Sequence, residues 1–205
     1  MKTINEIQQH IDLIAIECFN MYRIERDSKL YELAEIEIYL QDESQGINDI
    51  FRHQKDEHLN NGTEYIHYSG FDICHGNKEK NIYCGILVRG IMNDSDSIYG
   101  PRRVKYEGRK KVPRVIEINK VSNLNKLLKF YDGSNIINEN MIFKLPRVNL
   151  SNTRSFKHLD NPIELSNYLN LKVRYLRIKN KKFFSSEGPA ESREVFNAMI
   201  NYKPN

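Results

Sequence analysis

Apolar residues at Ile4, Ile7, Ile11, Ile14, Cys18 and Met21 recur near the helical period, and Thr3 followed by Glu6 has the spacing of a capping box. An amphipathic N-terminal helix over about residues 3–22 follows. From Tyr31 the period changes to two, with Ile36, Ile38 and Leu40 facing one way and Glu35, Glu37 and Tyr39 the other, which is the pattern of a strand. Alternation by itself makes Glu35 and Glu37 the solvent face of an edge strand. The polar stretch 41–62 reads as a long loop with a helical turn, and a loop of that length inside a compact domain is often functional.

Further strands are predicted at 63–74, 82–92, 112–118, 140–145 and 171–179, with 182–185 as a hairpin partner for the last. Helices are predicted at 100–107 from Gly100-Pro101, at 122–131 behind a Ser or Asn cap, at 162–168 after Asn161-Pro162, and at 189–201. No repeat or low-complexity linker interrupts the chain. Antiparallel-looking strands with peripheral helices make this an α+β protein, and 205 residues with 40% hydrophobic content suit a single domain over 1–205.

The net charge of +4 conceals an asymmetry: residues 1–100 carry 9 Lys/Arg against 18 Asp/Glu, and residues 101–205 carry 22 against 9. The basic excess gathers in Arg102, Arg103, Lys105, Arg109, Lys110, Lys111 and Arg114, then in Lys172, Arg174, Arg177, Lys179, Lys181 and Lys182. Such clusters suit a polyphosphate backbone, although a solvated basic surface would look the same. No apolar run is long enough to span a membrane or to serve as a secretory signal, which implies a cytoplasmic protein. Cys18, Cys74 and Cys84 are odd in number and lack C-x-x-C spacing, so buried or inert thiols are expected rather than disulfides or structural zinc. His53, His58, His67 and His75 with Asp72 include ordinary ligand types, but their spacing matches no metal motif, and no metal is expected.

Several short segments, in chain order, resemble the methylpurine (alkyladenine-type, 3-methyladenine) DNA glycosylase family. Glu35-Ile36-Glu37-Ile38-Tyr39-Leu40 is similar to its Glu-Thr-Glu-Ala-Tyr-Leu strand, and Tyr65-Ile66-His67-Tyr68 to its Tyr-Ile-Ile-Tyr hairpin. Ile86-Leu87-Val88-Arg89 is similar to its Val-Leu-Leu-Arg strand, and Gly100-Pro101 to a Gly-Pro-Ser-Lys helix start. Pro146-Arg147-Val148 and Leu171 to Arg177 resemble its Arg-Val-Gly-Val and Leu-Arg-Phe-Tyr-Val segments. The resemblance covers about residues 33–179. It implies a curved antiparallel sheet with peripheral helices, and a monomeric DNA-repair enzyme that flips a damaged purine from duplex DNA and hydrolyses its N-glycosidic bond without a cofactor.

On that resemblance Glu37 is the base that activates water, with Arg89 and the Val148 carbonyl as further water contacts. Tyr39, His53 and Tyr65 would cage the extruded base, and Tyr68 would fill the gap in the duplex. Arg102, Arg103, Lys105, Lys172 and Arg174 would contact DNA phosphates. Without the resemblance, Arg89 in an apolar strand implies a structural ion pair with some carboxylate, and the tyrosines are ordinary sheet aromatics.

The chain departs from the family after the hairpin. Where the family has Gly-Met-Tyr-Phe-Cys-Met-Asn, with the Asn sensing the purine amine, this chain has Ser69 to His75. His75 takes the Asn position on an ungapped count, and Asp72 takes it if the register shifts; either alters the accepted base edge. The Glu37 to His53 interval is also longer than in the family. Two other readings therefore stand beside the glycosylase: a non-catalytic nucleic-acid or nucleoside-binding protein of the same fold, and a hydrolase of free nucleosides.

Overall fold

The computed structural model describes residues 3–26, 28–49, 55–67, 70–93, 97–99, 128–130, 136–146, 171–177 and 196–197. The described elements are one long helix and an open sheet in which every observed pairing is antiparallel, an α+β arrangement. Helix α1 spans Ile4–Met21 and begins as its sequence predicts: the Thr3 hydroxyl accepts from the Glu6 amide, and the Thr3 amide donates back to the Glu6 carboxylate. At its other end the Arg23 guanidinium, itself buried, donates to the Phe19 and Tyr22 carbonyls at 2.8 Å each. A cation there satisfies a carbonyl left over by the helix and suits its dipole.

The strands are β1 (Tyr22–Arg26), β2 (Lys29–Asp42), β3 (Ile47–Asn48), β4 (Asn61–His67), β5 (Gly70–His75), β6 (Tyr83–Met92), β7 (Ser97–Tyr99), β8 (Leu128–Phe130), β9 (Ile142–Leu145) and β10 (Arg174–Arg177). The main path runs β4-β5-β6-β2-β1-β8. Strand β2 is paired along one side with β6, and on the other with β1, β10 and β3 in turn. It is a central strand rather than an edge. Glu35 and Glu37 are accordingly only 1% and 5% exposed, which overturns the solvent-face reading that alternation alone supports.

One face of the sheet, carrying Ile36, Ile38, Ile73, Ile86 and Val88, joins Ile7, Ile11, Ala15, Cys18 and Phe19 of α1 in the hydrophobic core. Burying these side chains supplies the main driving force for docking the helix, about 1.5–3 kcal/mol for each large aliphatic fully removed from water. A polar tie adds specificity. Asp12, on the inner side of α1, accepts from the Tyr175 hydroxyl at 2.8 Å and from Lys144 Nζ at 2.7 Å, anchoring β10 and β9 to the helix. Burial, then the Asp12 charge, pushes the Tyr175 phenol well above its ordinary range.

Several spans differ from expectation. The predicted 63–74 strand is two strands, β4 and β5, paired as a hairpin with His67 opposite Gly70. Residues 128–130, placed in a helix behind a Ser or Asn cap, form strand β8 against β1, where partners for their backbone groups override a modest local preference. Part of the predicted 41–62 loop is ordered as a 3-10 turn at Glu43–Gln45, the short β3, and a second 3-10 turn at Asp56–Leu59. The predicted elements at 100–107, 112–118, 162–168 and 182–185 lie outside the described residues, as does most of 189–201. Among the described residues, no helix is long and apolar enough to cross a membrane.

Candidate functional site

Residues directly opposite in an antiparallel ladder share a face, with Cβ atoms about 4.5–5.5 Å apart. The registers Arg174↔Glu37, Glu37↔Leu87, Leu87↔Asp72 and Asp72↔Tyr65 therefore lay one row across β10, β2, β6, β5 and β4, on the face away from α1. Glu35 and Tyr39 flank Glu37 on the same face by alternation along β2.

Arg89, two residues beyond Leu87, shares this face by alternation and sits at an irregularity. Between β2 and β6 the register steps from Leu33↔Ile91 to Glu35↔Gly90 and then to Ile36↔Val88, so Ala34 and Arg89 are extra residues on their strands. Arg89 Nη1 donates to Glu37 Oε2 at 2.9 Å, and its Nε donates to Glu35 Oε1 at 3.2 Å. The Tyr39 hydroxyl donates to the other oxygen of Glu37 at 2.7 Å. The Arg174 guanidinium, buried and drawn from the far end of the chain, pairs with Glu35 through Nε.

Glu37, Tyr39 and Arg89 thus meet, and Tyr39 meets Glu37 through its hydroxyl rather than standing apart as a ring. Arg174, expected at a DNA phosphate, belongs to the buried carboxylate cluster. A guanidinium 2% exposed and committed to Glu35 is not available to a phosphate. Lys172 is exposed, and its backbone N–H donates to Gln8 Oε1.

Beyond Leu87 lies a second polar group. His58, on the Asp56–Leu59 turn, is 2% exposed, with its Nε2 3.1 Å from Asp72 Oδ2 and its ring edge-on to Tyr65 at 5.0 Å between centroids. The imidazole lies over Gly85, where an added Cβ would stand 3.0 Å from Nε2 and 3.1 Å from Cε1. Asp72 and Tyr65 are therefore on the Glu37 face and joined by His58, which the sequence marked only as one of several histidines. Its signal was Gly85 inside an apolar strand, since a strand glycine often marks a close approach.

His75 faces the other way. Its ring nitrogens lie 3.3 Å from the Tyr22 hydroxyl and 3.7 Å from a Glu17 carboxylate oxygen of α1. Burial lowers its basicity, with Glu17 opposing. It lies three positions after Asp72, an odd offset that puts the two on opposite faces of β5, so the structure does not bring His75 to Glu37. An apolar recess lined by Ile11, Ile38, Leu40, Ile47, Leu171 and Val173, with Asp49, also lies on the helix side of β2.

His53, Tyr68, Arg102, Arg103, Lys105 and Val148 lie outside the described residues. The three cysteines are free and buried, as their number and spacing led one to expect. Burial raises the thiols of Cys18 and Cys84 well above their ordinary range and pushes that of Cys74 up to about 12. Compared with protein-family models and with curated proteins, the chain matches none.

Chemically, the cluster can hold an ionised carboxylate out of bulk water. The guanidinium favours the charged form of Glu37 and the Tyr39 hydroxyl orients one oxygen. The His58–Asp72 pair and the Tyr65 ring offer a second set of polar and aromatic groups on the same face.

Proposed function

We propose that the protein is a monofunctional DNA glycosylase that acts on an alkylated or deaminated purine turned out of duplex DNA, with Glu37 activating the attacking water. The observation that carries this reading is the convergence of Glu37, Tyr39 and Arg89, from two strands, on one face of the sheet. Glu37 and Arg89 are the side chains that the resemblance to methylpurine DNA glycosylases assigns to holding the water, and Tyr39 is one that it assigns to the extruded base. The basic excess after residue 100 suits a DNA backbone.

In this scheme Glu37 takes a proton from water as the water oxygen bonds to the anomeric carbon. The glycosidic C–N bond breaks and its electron pair leaves with the base. Arg89 keeps the carboxylate ionised before the step, and the negative charge of Glu37 stabilises the positive character that develops on the sugar. Tyr65, with His58 and Asp72, supports the base-facing half, in which the segment from Ser69 to His75 departs from the family.

Glu37→Gln keeps the shape and removes the base. Base release from duplexes carrying single lesions, read as alkali-labile strand breaks, is expected to vanish while DNA binding is retained. A Glu37→Gln protein that still releases the base refutes the assignment. The burial of Glu37, with both oxygens engaged, also favours a second reading: a structural ion network in a non-catalytic nucleic-acid-binding protein. That reading predicts no release of any lesion by the unmodified protein, with binding that weakens steeply as salt is added.

A further inference from the structure

We infer that Glu35 and Arg174 are positioning residues for the Glu37–Arg89 couple: Arg174 holds Glu35, and Glu35 holds the Arg89 guanidinium so that its Nη1 faces Glu37. The inference rests on the proposed hydrolytic role of Glu37.

Two guanidiniums from different strands share one carboxylate oxygen of Glu35. Arg174 stands opposite Glu37 in the β10–β2 register, and its guanidinium Nε reaches diagonally to Glu35. Arg89 is then shared, giving Nε to Glu35 and Nη1 to Glu37. A planar fork fixed through two of its nitrogens cannot rotate about its stem, whereas one fixed through a single nitrogen can. Glu35 Oε1 is the anchor common to both guanidiniums, and at 1% exposure no bulk water competes for it.

Charge adds a second effect. A neighbouring carboxylate makes it easier for Glu37 to take up a proton, and a neighbouring guanidinium makes it harder. The described groups that face Glu37 are Glu35 and Tyr39 on its own strand, Arg89 on β6, Arg174 on β10 and, beyond Leu87, Asp72 on β5 with its partner His58. Removing Glu35 therefore leaves Glu37 with an excess of positive neighbours, and removing Arg174 leaves it with an excess of negative ones. Charge alone moves the pH dependence in opposite directions; a positioning role also requires that the fork of Arg174, and not merely its charge, sustain the rate.

The test compares Glu35→Gln, Arg174→Met and the double variant with the unmodified protein, following base release from a duplex with one deaminated adenine across pH. The acid limb is expected to move down by roughly one pH unit in Glu35→Gln and up by roughly one unit in Arg174→Met, returning towards its original place in the double variant. Arg174→Lys keeps the charge but loses the fork; it should hold the limb in place while the rate falls roughly ten- to a hundredfold. It also serves if Arg174→Met does not fold. Limbs that coincide in both single variants or move the same way, or an Arg174→Lys protein whose rate is unchanged, overturn the inference. Should the unmodified protein release no base from any duplex carrying a single alkylated or deaminated purine, the glycosylase reading fails on its own, and titration of the Glu37 carboxyl carbon by NMR in the same proteins decides the pairing. Displacements in opposite directions support it, and coincident titrations overturn it.

Discussion

Removing Arg89 tests whether the carboxylate cluster is held as the geometry indicates. In Arg89→Met the side-chain volume is largely kept, while Glu37 loses its 2.9 Å guanidinium contact and Glu35 its 3.2 Å contact. Glu35 retains Arg174, and Glu37 retains the Tyr39 hydroxyl at 2.7 Å. Breaking a buried pair by deleting one partner costs about 3–5 kcal/mol. Because one of the two carboxylates keeps a cation and the other a hydrogen bond, the lower end, about 3 kcal/mol, is expected, roughly a hundredfold in the folding equilibrium. The side chains of Arg89 and Glu37 are 11% and 6% exposed, so little of this is lost to solvent screening.

The pH dependence has a definite sign. Without the guanidinium, the buried Glu37 takes up a proton more readily in the folded variant than an ordinary glutamate does in the unfolded chain. The deficit relative to the unmodified protein is therefore full at neutral pH and shrinks as pH falls through the range where the folded variant binds that proton. Urea unfolding followed by circular dichroism at about pH 8, about 6.5 and about 5 measures both features. A deficit below about 1 kcal/mol, or one that does not narrow with acid, would refute the claim that Arg89 supports a buried carboxylate.

Three further outcomes are expected. Gly85→Ala should displace the His58 ring, since its Cβ would stand 3.0 Å from Nε2, costing about 1–3 kcal/mol in urea unfolding and shifting the His58 imidazole resonances. Gly76→Ala should cost more or prevent folding, because its Cβ would fall 1.9 Å from the His58 carbonyl oxygen, where backbone rather than a ring must yield; equal stabilities would contradict this packing. None of Cys18, Cys74 and Cys84 should react promptly with a disulfide reagent near pH 8 in the folded protein, whereas all three should react in urea. Their thiolate forms are disfavoured by burial, so fast labelling of any one in the native state would show that its site is open.

Local pattern determined a good deal. Helix α1 was legible from Thr3, Glu6 and the apolar positions that follow, because capping and helical period are properties of a few consecutive residues. Strands β2, β6, β9 and β10 were legible as well, each lying in or close to a predicted span. The alternation that puts Glu35, Glu37 and Tyr39 on one face also needs nothing beyond the pleat.

What surrounds that face was a matter for tertiary structure alone. Whether β2 is an edge or a central strand depends on partners as distant in the chain as Leu176 is from Glu35, and those partners turn Glu35 and Glu37 from solvent-facing groups into buried ones. Arg89 meets them because β6 lies beside β2, at a bulge visible only in the register, and Arg174 leaves the run of basic residues because β10 lies beside β2. His58 joins Tyr65 and Asp72 because Gly85 makes room for its ring, while His75, three residues from Asp72, is carried to the helix side. Residue type and period are local properties, but burial and charge pairing belong to strands that meet only when the sheet closes around β2.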